Sequence, residues 1–464
     1  MPNPSGRTAR STPHAAFLFA FGCFGALHFL IYTFGYGFPI LPSNALAGLA
    51  GLALACRPSS RISFGVLSAA LLVDGVLQAP VFSNHTMLKN FFVVGTVIAA
   101  AEALMRREGW ETFIDRLAIT GRWLLLGMYV FGIFHKINTD FLDPASSCAV
   151  TLWQAMPFPA FVRDAPLLHI AGIWGTFIVE GLIVAFLLWP RARTLGIALG
   201  TAFHAMLALS GYDFYAPFST LVIALHCLFL QPHALERACA HPQIRRLGAA
   251  LTHPLGGALI AVYAVALGFL ARAEAFSRFG LAWLLIPGGL LLALLLPAIQ
   301  RAEAPATKAI SLRPSWPAGI LVLAFFANGF APYFGLKTAQ TFSMFANLRL
   351  EGDQPNHLIL RHPPGPFQYL ADPVRVIGAD NAPRLEALAR RELSVTRYDL
   401  LNQMERASEN AAVTYQRPGE PPIRVTRPEL RAAFDDQLHP RWFRAWFHFA
   451  PVNPLTPKPC APDN

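Results

Sequence analysis

The sequence predicts an all-α polytopic membrane protein of about 11 transmembrane helices, followed by a small α+β C-terminal domain outside the membrane. Three observations predict it. Hydrophobic residues make up 54% of the 464 positions and charged ones only 14%, against about 25% charged in ordinary soluble proteins. The apolar residues gather into runs near the ~20 residues that cross a ~30 Å hydrocarbon core. After residue 335 the composition turns charged, proline-rich and mixed.

The apolar runs fall at 15–34, 40–56, 62–82, 88–105, 117–135, 167–189, 194–211, 214–231, 254–272, 279–299 and 316–333. The first follows Arg7 and Arg10 but lacks a small-residue cleavage site and leads into further apolar sequence, so it reads as a span rather than a signal peptide. The second starts near Pro42 and Ser43. With the N-terminus inside, the inner loops hold Arg57, Arg61, Arg106, Arg107, Arg116, Arg122, Arg191, Arg193, Arg237, Arg245, Arg246, Arg301, Lys308 and Arg313. The outer loops hold only Lys89, Lys136, Arg163, Arg272 and Arg278. This alternation follows the positive-inside bias. It predicts a cytoplasmic tail at 1–14, a membrane domain at 15–335 and an extracytoplasmic domain at 336–464, in a multi-pass protein of the cell inner membrane. The net charge of +10 therefore serves topology and membrane lipids, not nucleic acid.

In the tail, the stretch 383–409 has helical spacing, and 412–425 reads as two short strands about a Pro-Gly turn. The stretch 427–452 reads as a helix ending in an aromatic, basic segment suited to a membrane surface. Six cysteines are scattered without metal-ligand spacing, several within apolar runs. Neither a disulfide framework nor a metal site is expected.

Ionisable groups at mid-bilayer cost about 2.5–3.5 kcal/mol on insertion scales, so each asks for a partner or a function. Asp74, Glu180, His204 and His226 are the four that stand out. Glu180 and His204 flank a tight hairpin, each about ten residues from the turn and so ~15 Å deep. Two antiparallel helices can bring carboxylate and imidazole together there, and Gly196 and Gly200 permit close approach. Either a packing pair or a proton-handling pair results. Asp74 and His226 read as satisfied core residues. At the outer end of the fifth run, His135 and Lys136 are followed by Asn138, Asp140 and Asp143. A lysine at a helix C-terminus suits the dipole. A partly desolvated lysine there also makes a candidate base.

The runs GIFHKINTDFLDPASSCAV, VEGLIVAFLLWPRARTLGIALGTAFHAMLAL and FYAPFSTLVIALHCLFL together resemble the HTTM family, the membrane domain related to vitamin K-dependent gamma-carboxylase. The resemblance covers roughly residues 12–300, and the later block at 329–360 looks like one carried by bacterial members. It implies a helical membrane fold and a reduced, vitamin K-like quinone as cofactor. By motif, Lys136 corresponds to the base proposed to deprotonate the hydroquinone. Oxygenation then yields a strong base, which takes a proton from a substrate glutamate before CO2 adds. Glu180 and His204 correspond to the shell of the quinone cavity. The carboxylase run has two consecutive lysines, whereas His135 stands first here, and the tail has no obvious counterpart of the propeptide-gripping region.

Beyond the last run, Lys337, Thr341, Ser343, Asn347, Arg349, Asn356 and His357 form a polar block. It reads as a junction between membrane and tail, or as a lid whose Asn347, Arg349 and His357, with His135, Asn138 and Asp140, contact a headgroup or a peptide substrate on the outer side. Three function classes follow: a carboxylase-like enzyme, a non-catalytic maturation or scaffold factor, and a transporter. The absence of paired broken helices in two halves weighs against the last.

Overall fold

The computed structural model describes residues 14–37, 40–79, 83–210, 215–230, 254–291, 310–352, 355–361, 372–433 and 446–452, with a few single positions besides, Cys460 among them. The expected N-terminal tail as far as residue 13, the loop residues Arg237, Arg245, Arg301 and Lys308, and most of the aromatic basic segment near residue 440 lie outside the described residues.

The described chain is mostly helical, with a small antiparallel sheet near the C-terminus. The helices are α1 (Ala15–Leu30, running on as a π turn Ile31–Gly35), α2 (Pro42–Cys56), α3 (Arg61–Gln78), α4 (Asn84–Met105) and α5 (Trp110–His135). Three short pieces follow: α6 (Thr139–Leu142), α7 (Cys148–Gln154) and α8 (Ala160–Arg163). Then come α9 (Pro166–Leu188), α10 (Arg193–Leu209), α11 (Ala216–Cys227), α12 (Pro254–Arg272), α13 (Phe276–Trp283) and α14 (Trp316–Phe330). Among the described residues, seven helices are long and apolar enough to cross a membrane, and four shorter apolar helices are Pro42–Cys56, Arg193–Leu209, Ala216–Cys227 and Arg278–Leu291.

Their start signals are local. Ser60 and Ser83 cap α3 and α4 by accepting backbone N–H bonds from Ser63 and Thr86. Pro42, Pro166 and Pro217 stand in the first turn of their helices, where the missing N–H costs nothing. At the other end of the bundle, Arg122 on α5 donates two bonds to the carbonyl of Leu228, just past α11. A guanidinium here neutralises a negative helix end.

Close packing of α1 on α2 depends on glycine. A methyl at Gly22 would lie 2.6 Å from the Ala55 nitrogen and 2.7 Å from the Gly51 carbonyl oxygen, and Gly51 is equally crowded by Ala26. Small residues let two backbones touch where lipid supplies no hydrophobic drive between helices. The core that results is aromatic: Phe17, Phe21, Phe24, Phe64 and Phe92 are all almost fully buried and stack edge-on or offset.

The tail folds around its own core. Strands β1 (Pro373–Asp380), β2 (Ser394–Thr396), β3 (Ala412–Gln416) and β4 (Ile423–Thr426) form an antiparallel sheet in the order β2-β1-β3-β4. Val374, Val376, Val395, Val413 and Tyr415 pack beneath Leu385 and Leu388 of α15 (Pro383–Arg390), Leu400, Leu401 and Met404 of α16 (Arg397–Met404), and Leu430 of α17 (Arg427–Ala432). The Pro-Gly turn joins β3 to β4 as expected, with Gly419 at φ +75°. The helical spacing expected over 383–409 is instead broken by β2, whose three residues are all buried and pair with β1.

Cys148 and Cys460, 312 residues apart, are joined by a disulfide. This corrects the expectation of no disulfide framework, which rested on the scattered spacing and on cysteines lying within apolar runs. Lys89 is also corrected from an outer-loop charge to a fully buried residue of α4. Asn84, within a formal glycosylation sequon, is buried and holds the Phe342 N–H at 2.7 Å.

The α1–α2 crossing generates a prediction. Gly22→Val should destabilise the bundle by at least ~2 kcal/mol, since the clash is with backbone that cannot move aside. Thermal unfolding of the purified protein measures it, with Gly65→Val on the open face of α3 as a near-neutral control.

Candidate functional site

Helix α5 presents Tyr129, Gly132 and Lys136 along one face, at helical spacings of three and four. Lys136 closes the helix as its C-cap residue. On α9 the buried stripe is Ile173, Glu180, Ile183 and Leu187, so Glu180 sits where an apolar residue would ordinarily pack. Lys136 Nζ lies 2.7 Å from Glu180 Oε1, with the two side chains 10% and 8% exposed. The ammonium also stands 5.9 Å from the Phe141 ring centroid, within range of the ring's negative face.

Glycine makes room for the second carboxylate oxygen. A methyl at Gly132 would meet Glu180 Oε2 at 3.3 Å and Lys136 Nζ at 3.7 Å. Glu180 Oε2 is buried and has no hydrogen-bond partner.

One turn below, Tyr129 bridges two histidines. His226 Nδ1 faces the Val222 carbonyl at 2.8 Å. A carbonyl only accepts, so this nitrogen carries the proton and Nε2 is left with a lone pair. The Tyr129 hydroxyl donates to that lone pair at 3.2 Å and accepts from His204 Nε2 at 3.0 Å. His204 Nδ1 is then itself a lone pair, and it too is buried without a partner. His226 is held in place by Gly200, against which its ring is pressed.

The expected Glu180–His204 pair therefore takes another form. Glu180 bonds Lys136 and His204 bonds Tyr129, because α5 packs on the hairpin and supplies both partners. Gly196 does allow the hairpin to close, its missing methyl facing the Leu187 backbone nitrogen at 2.9 Å. The two unpaired acceptors, Glu180 Oε2 and His204 Nδ1, line a short polar stretch of α5 headed by Lys136. Tyr129 and the unpaired nitrogen of His204 escaped the sequence reading. The signal was present, since Tyr129 precedes Lys136 by seven residues, two helical turns.

The remaining expected site residues build a cap over this end of the bundle. His135 donates from Nε2 to the Thr341 carbonyl at 2.9 Å and accepts the Tyr333 hydroxyl at 2.7 Å on Nδ1. Asn138 donates to the Ala346 and His135 carbonyls at 2.6 and 2.8 Å, and its oxygen caps α6 through the Phe141 N–H. Asn347 accepts from the Cys148 N–H and donates to the Ser146 carbonyl, both at 2.8 Å. His357 donates to the Phe134 carbonyl and accepts the Leu360 N–H at 3.0 Å, and burial holds its imidazole below the usual range. Asp140 and Arg349 are buried in the same layer; Asp140 accepts the Thr139 hydroxyl, and the Arg349 backbone N–H rests on Asn356. Structure thus unites Lys136, Glu180 and His204 around α5, and places the other six in the cap.

No protein-family model, no curated protein and no solved structure matches this chain.

Two predictions follow from these charges. Lys136→Met leaves a buried carboxylate uncompensated and should cost roughly 3–5 kcal/mol, whereas adding Glu180→Leu should recover most of that; a double-mutant cycle of thermal stabilities reads the coupling. Lys337, buried in the cap, has its ammonium pushed down from 10.5 to about 8 by desolvation. Between those values the unfolded chain holds a proton that the folded chain has released, so stability rises with pH across that window. Lys337→Met should therefore stabilise the protein near neutral pH, by up to roughly 3 kcal/mol for a shift of about 2.5 pH units. Its advantage should fade between about pH 8 and pH 10.5, as unfolding curves across that range would record.

Proposed function

We propose that this chain is an 11-span inner-membrane protein of the HTTM type that binds a hydroxyl-bearing, quinol-like lipid at Lys136, Glu180 and His204 and modifies a peptide or protein substrate at its outer face. The observation that carries the reading is the Lys136–Glu180 contact at 2.7 Å beside two buried acceptors without partners. Unpaired buried acceptors are costly, and a ligand that donates hydrogen bonds removes the cost. An anion would not, since it brings only acceptors. The site therefore fits the ring hydroxyls of a reduced quinone.

Lys136 and Glu180 can share one proton. Moving it from Nζ to Oε1 converts the ion pair into a neutral amine and a neutral acid. The free amine can then accept a proton from a hydroxyl placed against it. His204 Nδ1, fixed as an acceptor by the Tyr129–His226 chain, is a second landing place. A reduced quinone bound here would supply the hydroxyls and the electrons that no side chain of the site provides.

Two features support an outward-facing cap. Disulfides persist in oxidising compartments, and Cys148–Cys460 lies at the cap end. Arg57, Arg106, Arg107 and Arg191 lie in loops at the opposite end, as the positive-inside bias requires. One observation favours a non-catalytic scaffold instead: His135, Asn138 and Asn347 are engaged in holding the cap's backbone.

Purified protein titrated with reduced quinones decides between them. The enzyme reading expects binding, oxygen consumption and incorporation of labelled CO2 in the wild type. It also expects a fall of about 100-fold or more in turnover for Lys136→Ala. Equal binding by both proteins, with neither oxygen consumed nor CO2 incorporated, would leave the scaffold reading.

A further inference from the structure

A second group of ionisable side chains lies inside the bundle, apart from Lys136. His28 of α1, Asp74 of α3 and Lys89 of α4 are each 0% exposed. Lys89 Nζ and His28 Nε2 converge on the same oxygen, Asp74 Oδ2, at 2.5 and 3.2 Å, while Gln78 Nε2 donates to Oδ1 at 2.7 Å. Facing a carboxylate, His28 Nε2 carries a proton, and Nδ1 is left as a lone pair. That nitrogen is buried and has no partner.

An ion pair alone does not explain this arrangement. Lys89 already neutralises Asp74, and an apolar core would pack as well without the desolvation cost. The extra imidazole adds a basic nitrogen that no group among the described residues bonds. Ionisable groups at such depth are functional by default.

A hydrogen-bonded chain runs from the cap end as far as Tyr32, whose ring lies against that of His28. The His28 and Tyr32 rings lie 4.3 Å apart at their centroids. The Tyr32 hydroxyl is 2.8 Å from Thr86 Oγ1 and 3.3 Å from His85 Nε2. Ser83 Oγ is 2.8 Å from Thr86 Oγ1 and 2.9 Å from His85 Nδ1. Ser83 and His85 are half-buried at the start of α4, so the chain ends at the rim. His28 and His85 stand 6.4 Å apart, a gap one bridging water spans.

We propose that His28, Asp74 and Lys89 form a proton-binding site filled from the cap end of the bundle. A proton drawn from water passes along Ser83, His85, Thr86 and Tyr32 to His28 Nδ1. The imidazolium so formed keeps its Nε2–H on Asp74 Oδ2, and the donor water or buffer keeps the matching negative charge. Nothing is oxidised or reduced. Among the described residues, the titratable groups facing His28 are Tyr32 on its own helix, Asp74 on α3, and His85 and Lys89 on α4. Helix α2 contains no Asp, Glu, His, Lys or Arg, His226 of α11 faces Tyr129 instead, and Arg272 of α12 is exposed. Asp74 therefore favours uptake and Lys89 opposes it. The proposal does not depend on the chemistry at Lys136.

Nitrogen-15 histidine spectra of the full chain in lipid bilayers test it, with the His28 signal identified by its loss in His28→Gln. In the wild type, the neutral Nε2–H form should give way to imidazolium as the pH is lowered through the range in which the protein stays folded. Lys89→Met should raise the midpoint by about one pH unit or more, and Asp74→Asn should lower it. Tyr32→Phe should slow exchange of the His28 N–H with deuterated water about tenfold while leaving the midpoint near its wild-type value. A wild-type His28 that stays neutral across the range overturns the proposal even if every variant fails to fold. A midpoint unmoved by Lys89→Met overturns it equally.

Discussion

The cap end of this protein depends on one constraint: irregular backbone buried among apolar helices must find a partner for every N–H and C=O. Residues 336–352 are almost wholly buried yet form neither helix nor strand. Four of them without the freedom of glycine, Gln340, Phe342, Phe345 and Asn347, adopt left-handed φ of 53–65°. Such conformations cost on the order of 1 kcal/mol each and persist only where the surroundings hold them. Here asparagines do so. Asn84, Asn138, Asn328, Asn347 and Asn356 each grip main-chain groups, from α4, from the end of α5, from α14 and from within the cap itself. A carboxamide both donates and accepts, so one side chain substitutes for a stretch of missing ladder.

That constraint separates the two jobs of the polar residues near Lys136. Those above it hold backbone, and their hydrogen-bonding capacity is directed at the cap. Those beside and below it hold one another and leave acceptors over. The contrast is sharp between neighbours: His135 has both ring nitrogens engaged, while Lys136 reaches a carboxylate whose second oxygen is free. The disulfide closes the cap from the far side. It joins the C-terminal segment to α7, whose first residue is held by Asn347 and which packs on the helix carrying Glu180.

Much of the helical part was legible in the sequence because apolar run length and loop charge are properties of local composition. Lys136 and Glu180 stood out as charges in apolar surroundings, and both belong to the site. What escaped were the partners. Lys89 lies only five residues into α4, next to polar Asn84-His85-Thr86, so composition could not distinguish a loop from a first helical turn. Its pairing with Asp74 is a contact between helices, as is Tyr129 with His204 and His226. Cys148 and Cys460 carry no spacing signal across 312 residues. Strand β2, three residues long, falls inside a stretch with good helical spacing, and only its pairing with β1 decides its state.

Helix α5 ties these levels together. At 26 residues it is ~39 Å long, more than a ~30 Å apolar core requires. Arg122, midway along it, caps α11, and Lys136, just past its last residue, meets Glu180. Fourteen residues separate them, ~21 Å along the axis. Between them, Leu124, Leu125, Leu126 and Phe131 are packed into the apolar core. Tyr129 is the exception, a hydroxyl set amid that packing and oriented by His226. An apolar helix with one polar face can hold a proton-accepting site only where neighbouring helices supply every other partner. Here α9, α10 and α11 supply Glu180, His204 and His226, and the acceptors they leave unfilled mark where a ligand would complete the bundle.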